Sequence, residues 1–308
     1  MKRLIYVICS ILMAALLSGN ITAAQTAEDS LPETAEETGI VFIDTITTDD
    51  FSMNYMRFGS GEDTLVILPG LSVQSVLGSA DAIVQAYHLL TEDFTIYVFD
   101  QREDMPDGYT MADMAQDSAK ALQALGLDRV SVFGVSMGGM ISMELACEHP
   151  ELVQKLILGS TSAYMDEEHF QTIDQWIRLA KEADTQGLYL SFGEAIYPQD
   201  VFEQSEDLLI EAAGNVSAED LHRFIILAES IRGYDLLEDL YRITCPVLII
   251  GSEDDHVVGA DASLQIADHL SDQTECEIYM YDGYGHAAYD LAPDYKERLL
   301  NFLKVPLL

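Results

Sequence analysis

Cations are scarce in this chain. Of its 308 residues only 15 are Lys or Arg, against 53 Asp or Glu, a formal charge of −38. That balance excludes a nucleic-acid binder, because neutralising phosphates takes a basic surface, and it disfavours docking on anionic lipid. Cysteine is almost as rare. Of four, Cys9 sits in an N-terminal apolar run, leaving Cys147, Cys245 and Cys276. Three cysteines cannot form a disulfide framework, so buried reduced thiols are expected. After Leu17 no apolar run is long enough to cross a bilayer. A glycine-rich dinucleotide fingerprint, a phosphate loop and a zinc-type Cys/His spacing are all missing, so no cofactor and no metal site is implied. The hydrophobic share, 49%, is that of a globular protein with a substantial core.

The N-terminus reads as a targeting device. Lys2 and Arg3 precede Leu4 to Leu17, apolar except for Ser10, and Thr22-Ala23-Ala24 offers small residues for cleavage. Residues 1–24 are therefore expected to be a signal peptide, or an anchor if retained, and the protein to be exported, secreted or in the cell envelope. Residues 25–45 are read as an acidic tether. Gln25 to Thr38 holds no aromatic and no basic residue.

From there, short apolar runs alternate with amphipathic stretches. Thr64–Leu68, Phe94–Phe99, Arg129–Val135, Lys155–Leu158, Pro246–Ile250 and Glu277–Tyr281 read as strands, the most continuous of them buried on both faces. The stretch from Thr110, with Asp113 in a capping-box position and Gly126 at its end, reads as one of the helices between them. The expected fold is α/β, a doubly wound and mostly parallel sheet. Between residues 163 and 234 the rhythm turns helical, which predicts a cap without a large core of its own, inserted between core segments 46–162 and 235–308.

Three motifs carry chemistry. Gly134-Val135-Ser136-Met137-Gly138-Gly139 follows a strong strand and opens a helix, the context that holds a nucleophilic serine in a strained turn at a helix N-terminus. A serine hydroxyl needs a base. Of the seven histidines, His88, His149, His169, His222 and His269 fall in or at the ends of helical patterns, whereas His286 lies in Gly283-Tyr284-Gly285-His286 after the last strand. The imidazole needs a carboxylate, and Glu253-Asp254-Asp255 follows the strand ending at Ile250. Counting forward from the strand favours Asp254. Counting back from the next helix, the longer match, favours Asp255. Two backbone donors for an oxyanion are expected at Met137 and, after the early strand, at Leu71.

The order Ser136, Asp255, His286 and the segment Asp100-Gln101-Arg102 resemble the α/β-hydrolase superfamily over about residues 46–305. The chain departs from common members in having Pro69-Gly70 rather than His-Gly, and Glu103 where Gly often follows Arg. The resemblance implies a serine hydrolase that cleaves a carboxylic ester or related acyl bond of a small molecule. The alternatives are carbon–carbon bond or amide cleavage on the same fold, or a ligand-binding relative without turnover. Trp176, Tyr164, Tyr197 and Phe192 are candidates to line an acyl pocket, but such aromatics more commonly pack a cap onto its core. The residues that bind substrate stay unknown.

Overall fold

The computed structural model describes residues 41–270, 272 and 274–307. The expected signal segment and residues 25–40 of the expected tether lie outside them. The last residues of the tether do not: Phe42–Thr47 is strand β1. Only Ile46 of it is buried, so its sequence has no inward face to recognise, and its order comes from pairing with β2, Ser52–Phe58. Neither strand was expected from the sequence, because both belong to an antiparallel edge rather than to the doubly buried centre.

The remaining strands match the apolar runs. They are β3 (Asp63–Leu68), β4 (Phe94–Arg102), β5 (Val130–Val135), β6 (Val153–Gly159), β7 (Val247–Ser252) and β8 (Cys276–Tyr281). The eight form one sheet in the order β1-β2-β4-β3-β5-β6-β7-β8, parallel from β4 onward. Alternate residues of each central strand feed opposite cores. Val66 and Leu68 join one face, Leu65 and Ile67 the other. The second face is covered by α1 (Ala80–Tyr87) and a C-terminal helix, Tyr295–Lys304. The first is covered by α2 (Met111–Ala124) and α3 (Met137–Glu148). Thr110 and Asp113 form the reciprocal cap of α2, and Gly126, at φ +67°, ends it.

Between β6 and β7 lie four helices: α4 (Glu167–Lys181), α5 (Thr185–Ile196), α6 (Gln199–Ala213) and α7 (Ala218–Glu229). A bridge between Tyr164 and Asp235 closes the neck of this insertion. Its buried side chains, among them Phe170, Trp176, Phe192 and Phe224, run into the same apolar cluster as Met137 and Met140 of α3. After β7 come α8 (Ala262–His269), then α9 (Ala288–Leu291) and α10, the C-terminal helix already described. Cys147, Cys245 and Cys276 are free thiols, as expected, but only Cys147 is fully buried. Among the described residues no helix is long and apolar enough to cross a membrane.

Polar ties fix the cap to the sheet edge. Asp100, at the end of β4, accepts from the Ser75 hydroxyl and from the Arg223 guanidinium of α7. Gln74 accepts from the Tyr189 hydroxyl of α5 at 3.1 Å. Asp100-Gln101-Arg102 is thereby structural here. Arg102 pairs with Asp117 at 3.3 Å, and Asp117 also accepts from the Tyr109 hydroxyl. Removing the cation would strand a largely desolvated carboxylate. Arg223→Met should cost about 2–3 kcal/mol in denaturant unfolding, and adding Asp100→Asn should recover part of it. Additive losses in that cycle would contradict the pairing.

Candidate active site

The carboxyl ends of β3, β5 and β7 and the loop after β8 meet at one cavity. Ser136 sits between β5 and α3 with φ +52° and ψ −122°, a backbone conformation that side chains rarely adopt. The turn exists because its surroundings have no side chains. A Cβ on Gly134 would lie 2.4 Å from the Gly138 carbonyl oxygen, and one on Gly138 would lie 1.9 Å from that of Leu68 in β3. A Cβ on Gly139 would meet Thr161 at 2.6 Å. Thr161 in turn donates its hydroxyl to the Ser136 carbonyl at 2.7 Å, and the Ser136 amide donates to Gly159 at 2.9 Å. The strained residue is thus held from both sides. Met137 is the first residue of α3, where amide N–H groups have no intrahelical acceptor and the helix dipole favours negative charge.

His286 and Asp255 are each only 2% exposed at the side chain. Nδ1 of His286 lies 2.8 Å from Oδ2 of Asp255. The other oxygen, Oδ1, accepts from the amides of Val257 and Val258 at 2.9 and 3.1 Å. Burial pushes the Asp255 carboxyl upward, but the charge and hydrogen bond of His286 and the two amides outweigh it and hold the group below its ordinary 3.8. An ionised carboxylate only accepts, so Nδ1 carries the proton, and in a neutral ring Nε2 is left as the acceptor.

Asp254, the other acid considered, faces elsewhere. It accepts from the Ser252 hydroxyl at 2.7 Å and from the amides of Gly283 and Gly285 at 3.2 and 3.0 Å. Burial raises its carboxyl, and these bonds more than reverse that. It clamps the loop that presents His286.

Ser136, His286, Gly70 and Leu71 line one cavity with an empty volume of about 490 Å³, its mouth included. Leu71, the residue expected to offer the second backbone donor, lines the same cavity as Ser136. The rest of the wall is Met140, Met165, Ile173, Trp176, Phe192, Ile196, Ile231, Val257, Val258 and Tyr289. Of the four cap aromatics considered from sequence, Trp176 and Phe192 both line the cavity and pack on each other, with ring centroids 4.3 Å apart. Tyr197 is buried outside the lining, and Tyr164 is exposed at the neck. The sequence did not point to Val257, Val258 or Tyr289. The signal lay in their closeness to Asp255 and His286, two to three residues along each loop.

The family model described as alpha/beta hydrolase fold matches residues 63–195. A protein of Serratia proteamaculans (strain 568) named "Putative carbamate hydrolase RutD" is 28% identical over 239 residues, covering 75% of this chain and 89% of its own length. Among solved structures, MGS-M2, an alpha/beta hydrolase enzyme from a Medee basin deep-sea metagenome library, superposes with a TM-score of 0.76 at 22% identity. It covers 86% of this chain and 98% of its own. An esterase from Exiguobacterium antarcticum superposes with a TM-score of 0.71 at 22% identity, over 85% of this chain and 99% of its own.

Two outcomes follow from this geometry. Ser136→Gly should be more stable than Ser136→Ala by about 1 kcal/mol in thermal unfolding, because glycine relieves the strain that alanine keeps. Equal stability would contradict the strain. The lowered Asp255 carboxyl contributes stability that is fully present above its ordinary 3.8 and is lost as pH falls through its lower folded value. The stability gap between wild type and Asp255→Asn should therefore close below about pH 4 in denaturant titrations, and a gap that widened there would contradict the assignment.

Proposed function

This chain belongs to the α/β-hydrolase superfamily and is a hydrolase, and from that premise we propose a serine hydrolase that cleaves a carboxylic ester or related acyl bond of a small molecule. The observation that carries the reading is the shared cavity. A serine at a strained strand-to-helix turn lines it together with a histidine whose far nitrogen is bound to a buried carboxylate.

In this mechanism the Ser136 hydroxyl attacks the acyl carbon while Nε2 of His286 takes its proton. Asp255 holds the ring in the tautomer that leaves Nε2 free to accept and stabilises the imidazolium that forms. The amides of Met137 and Leu71 receive the developing oxyanion, each worth about 3 kcal/mol in the transition state. His286 then returns the proton to the leaving alcohol, and water, activated by the same base, releases the acid. The N-terminus of α3 adds a favourable field at the oxygen.

A carbamate is also an acyl bond open to this attack, and the name of the Serratia relative points that way. A free carbamate anion is disfavoured by the wall, where no lysine or arginine stands.

Fluorophosphonate should label Ser136 covalently, as seen by peptide mass spectrometry. On activated esters Asp255→Asn should lower kcat/KM by ~10³–10⁴-fold, since the wrong tautomer disables the base. Asp254→Asn should lower it only by about tenfold, because it loosens a loop and leaves the base intact. No labelling at 136, or a larger loss from Asp254 than from Asp255, would reject the assignment of roles.

A further inference from the structure

The segment just past β6 holds the nucleophile turn from behind. Gly159, the last residue of β6, accepts from the Ser136 amide at 2.9 Å, and the Ser160 amide donates to the Ile250 carbonyl of β7 at 2.9 Å. Two locally unfavourable residues meet here. Ser160 is left-handed, at φ +44°, and fully buried. Its hydroxyl has no partner among the described residues, so its own side chain does not account for that conformation. Gly139 stands in the first turn of α3, where glycine weakens a helix. A Cβ there would lie 2.6 Å from both Cβ and Oγ1 of Thr161. Both departures serve one contact. The left-handed turn immediately precedes Thr161, the missing Cβ leaves room for it, and its hydroxyl donates to the Ser136 carbonyl at 2.7 Å.

That carbonyl has three donors. It accepts from the amides of Gly139 at 2.8 Å and Met140 at 3.2 Å, and Thr161 is the shortest of the three. A carbonyl shared by two amides is ordinary at a helix end, but the third donor is an addition. The same peptide unit carries the N–H of Met137. A peptide is planar, with its C=O and N–H pointing in opposite directions, so holding the oxygen aims the N–H. Each bond the oxygen receives also polarises the unit and makes that N–H a stronger donor.

We propose that Thr161 is a positioning residue for the oxyanion: acting through the Ser136–Met137 peptide, its hydroxyl orients and strengthens the Met137 N–H. The inference rests on the ester-hydrolase reading, in which that N–H receives the charge formed when Ser136 attacks. Thr161 is 1% exposed and is not among the residues lining the cavity, so it has no contact with substrate to lose. Its effect is confined to the transition state and belongs in kcat rather than KM.

Thr161→Ser keeps the hydroxyl, and Thr161→Ala differs from it by that oxygen alone. On a p-nitrophenyl alkanoate, kcat of Thr161→Ala should lie on the order of tenfold below that of Thr161→Ser, at similar KM. The Ser136 carbonyl keeps its two amide donors in both variants, so neither orphans an acceptor. Should Thr161→Ala not fold, Thr161→Val makes the same comparison. A second readout follows the oxyanion itself. A trifluoromethyl ketone labelled with carbon-13 at its carbonyl should add to Ser136, and NMR reads the pH at which the hemiketal oxygen ionises. That pH should be higher in Thr161→Ala than in Thr161→Ser by about one unit, the same factor of ten. An equal loss in both variants would assign Thr161 to packing through its methyl group and overturn the inference. A loss carried by KM alone, or an ionisation that does not move, would overturn it as well. In each case an adduct at Ser136 leaves the hydrolase reading intact. No adduct at Ser136 and no turnover of any ester would overturn both.

Discussion

A carboxylate buried to 2% exposure is tolerable only with full compensation, and the way Asp255 obtains it organises this molecule. Its charge is met by the His286 ring on one oxygen and by two consecutive amides on the other. Those amides belong to Val257 and Val258, which also form part of the cavity wall. The same turn that stabilises the acid therefore shapes the pocket. The loop bearing His286 is fixed from behind by Asp254, so two adjacent acids divide the work, one holding the ring and the other the backbone that carries it. Both depend on β7 and β8 lying in parallel register, which brings Ser252 alongside Tyr281 and sets the two loops side by side.

The cap shares one core with the sheet. Trp176 and Phe192 pack against each other and against the apolar cluster that reaches α3, so the side chains that close the cavity also attach the insertion. Opening the cavity disturbs part of that core, and the Asp100–Arg223 pair limits how far α7 can move from the sheet edge. The surface and the pocket contrast sharply. An overall charge of −38 disfavours the approach of anions at long range, whereas the cavity is walled mainly by apolar side chains.

Much of this was legible in the sequence, for identifiable reasons. Runs such as Thr64–Leu68 and Arg129–Val135 are mainly apolar because both faces of the sheet are covered, so their strands announced themselves. The glycines at 134, 138 and 139 were readable because each marks a place where a Cβ would strike backbone or Thr161. Edge strand β1 was not readable, since Phe42 and Ile43 are exposed and pairing with β2 orders it, and β2 was not read either, although Met53, Met56 and Phe58 are buried. Within the helical cap, Gly187 and Gly193 weaken the individual signature of α5. Gly193 is there because a Cβ would lie 2.5 Å from Leu209 of α6. Asp254 and Asp255 could not be separated by counting with certainty, because the distinction lies in which carboxylate the amides at 257 and 258 fold back upon.

The central claim is that His286 presents Nε2 to Ser136 because Asp255 holds its Nδ1–H. Nitrogen-15 NMR of protein labelled at histidine reads this directly. At neutral pH the account predicts, for His286, a protonated Nδ1 with a strongly downfield, exchange-protected proton, kept in Asp254→Asn and lost in Asp255→Asn. A protonated Nε2 with a bare Nδ1 in the wild-type enzyme, or a downfield proton that survives Asp255→Asn and disappears with Asp254→Asn, would contradict it.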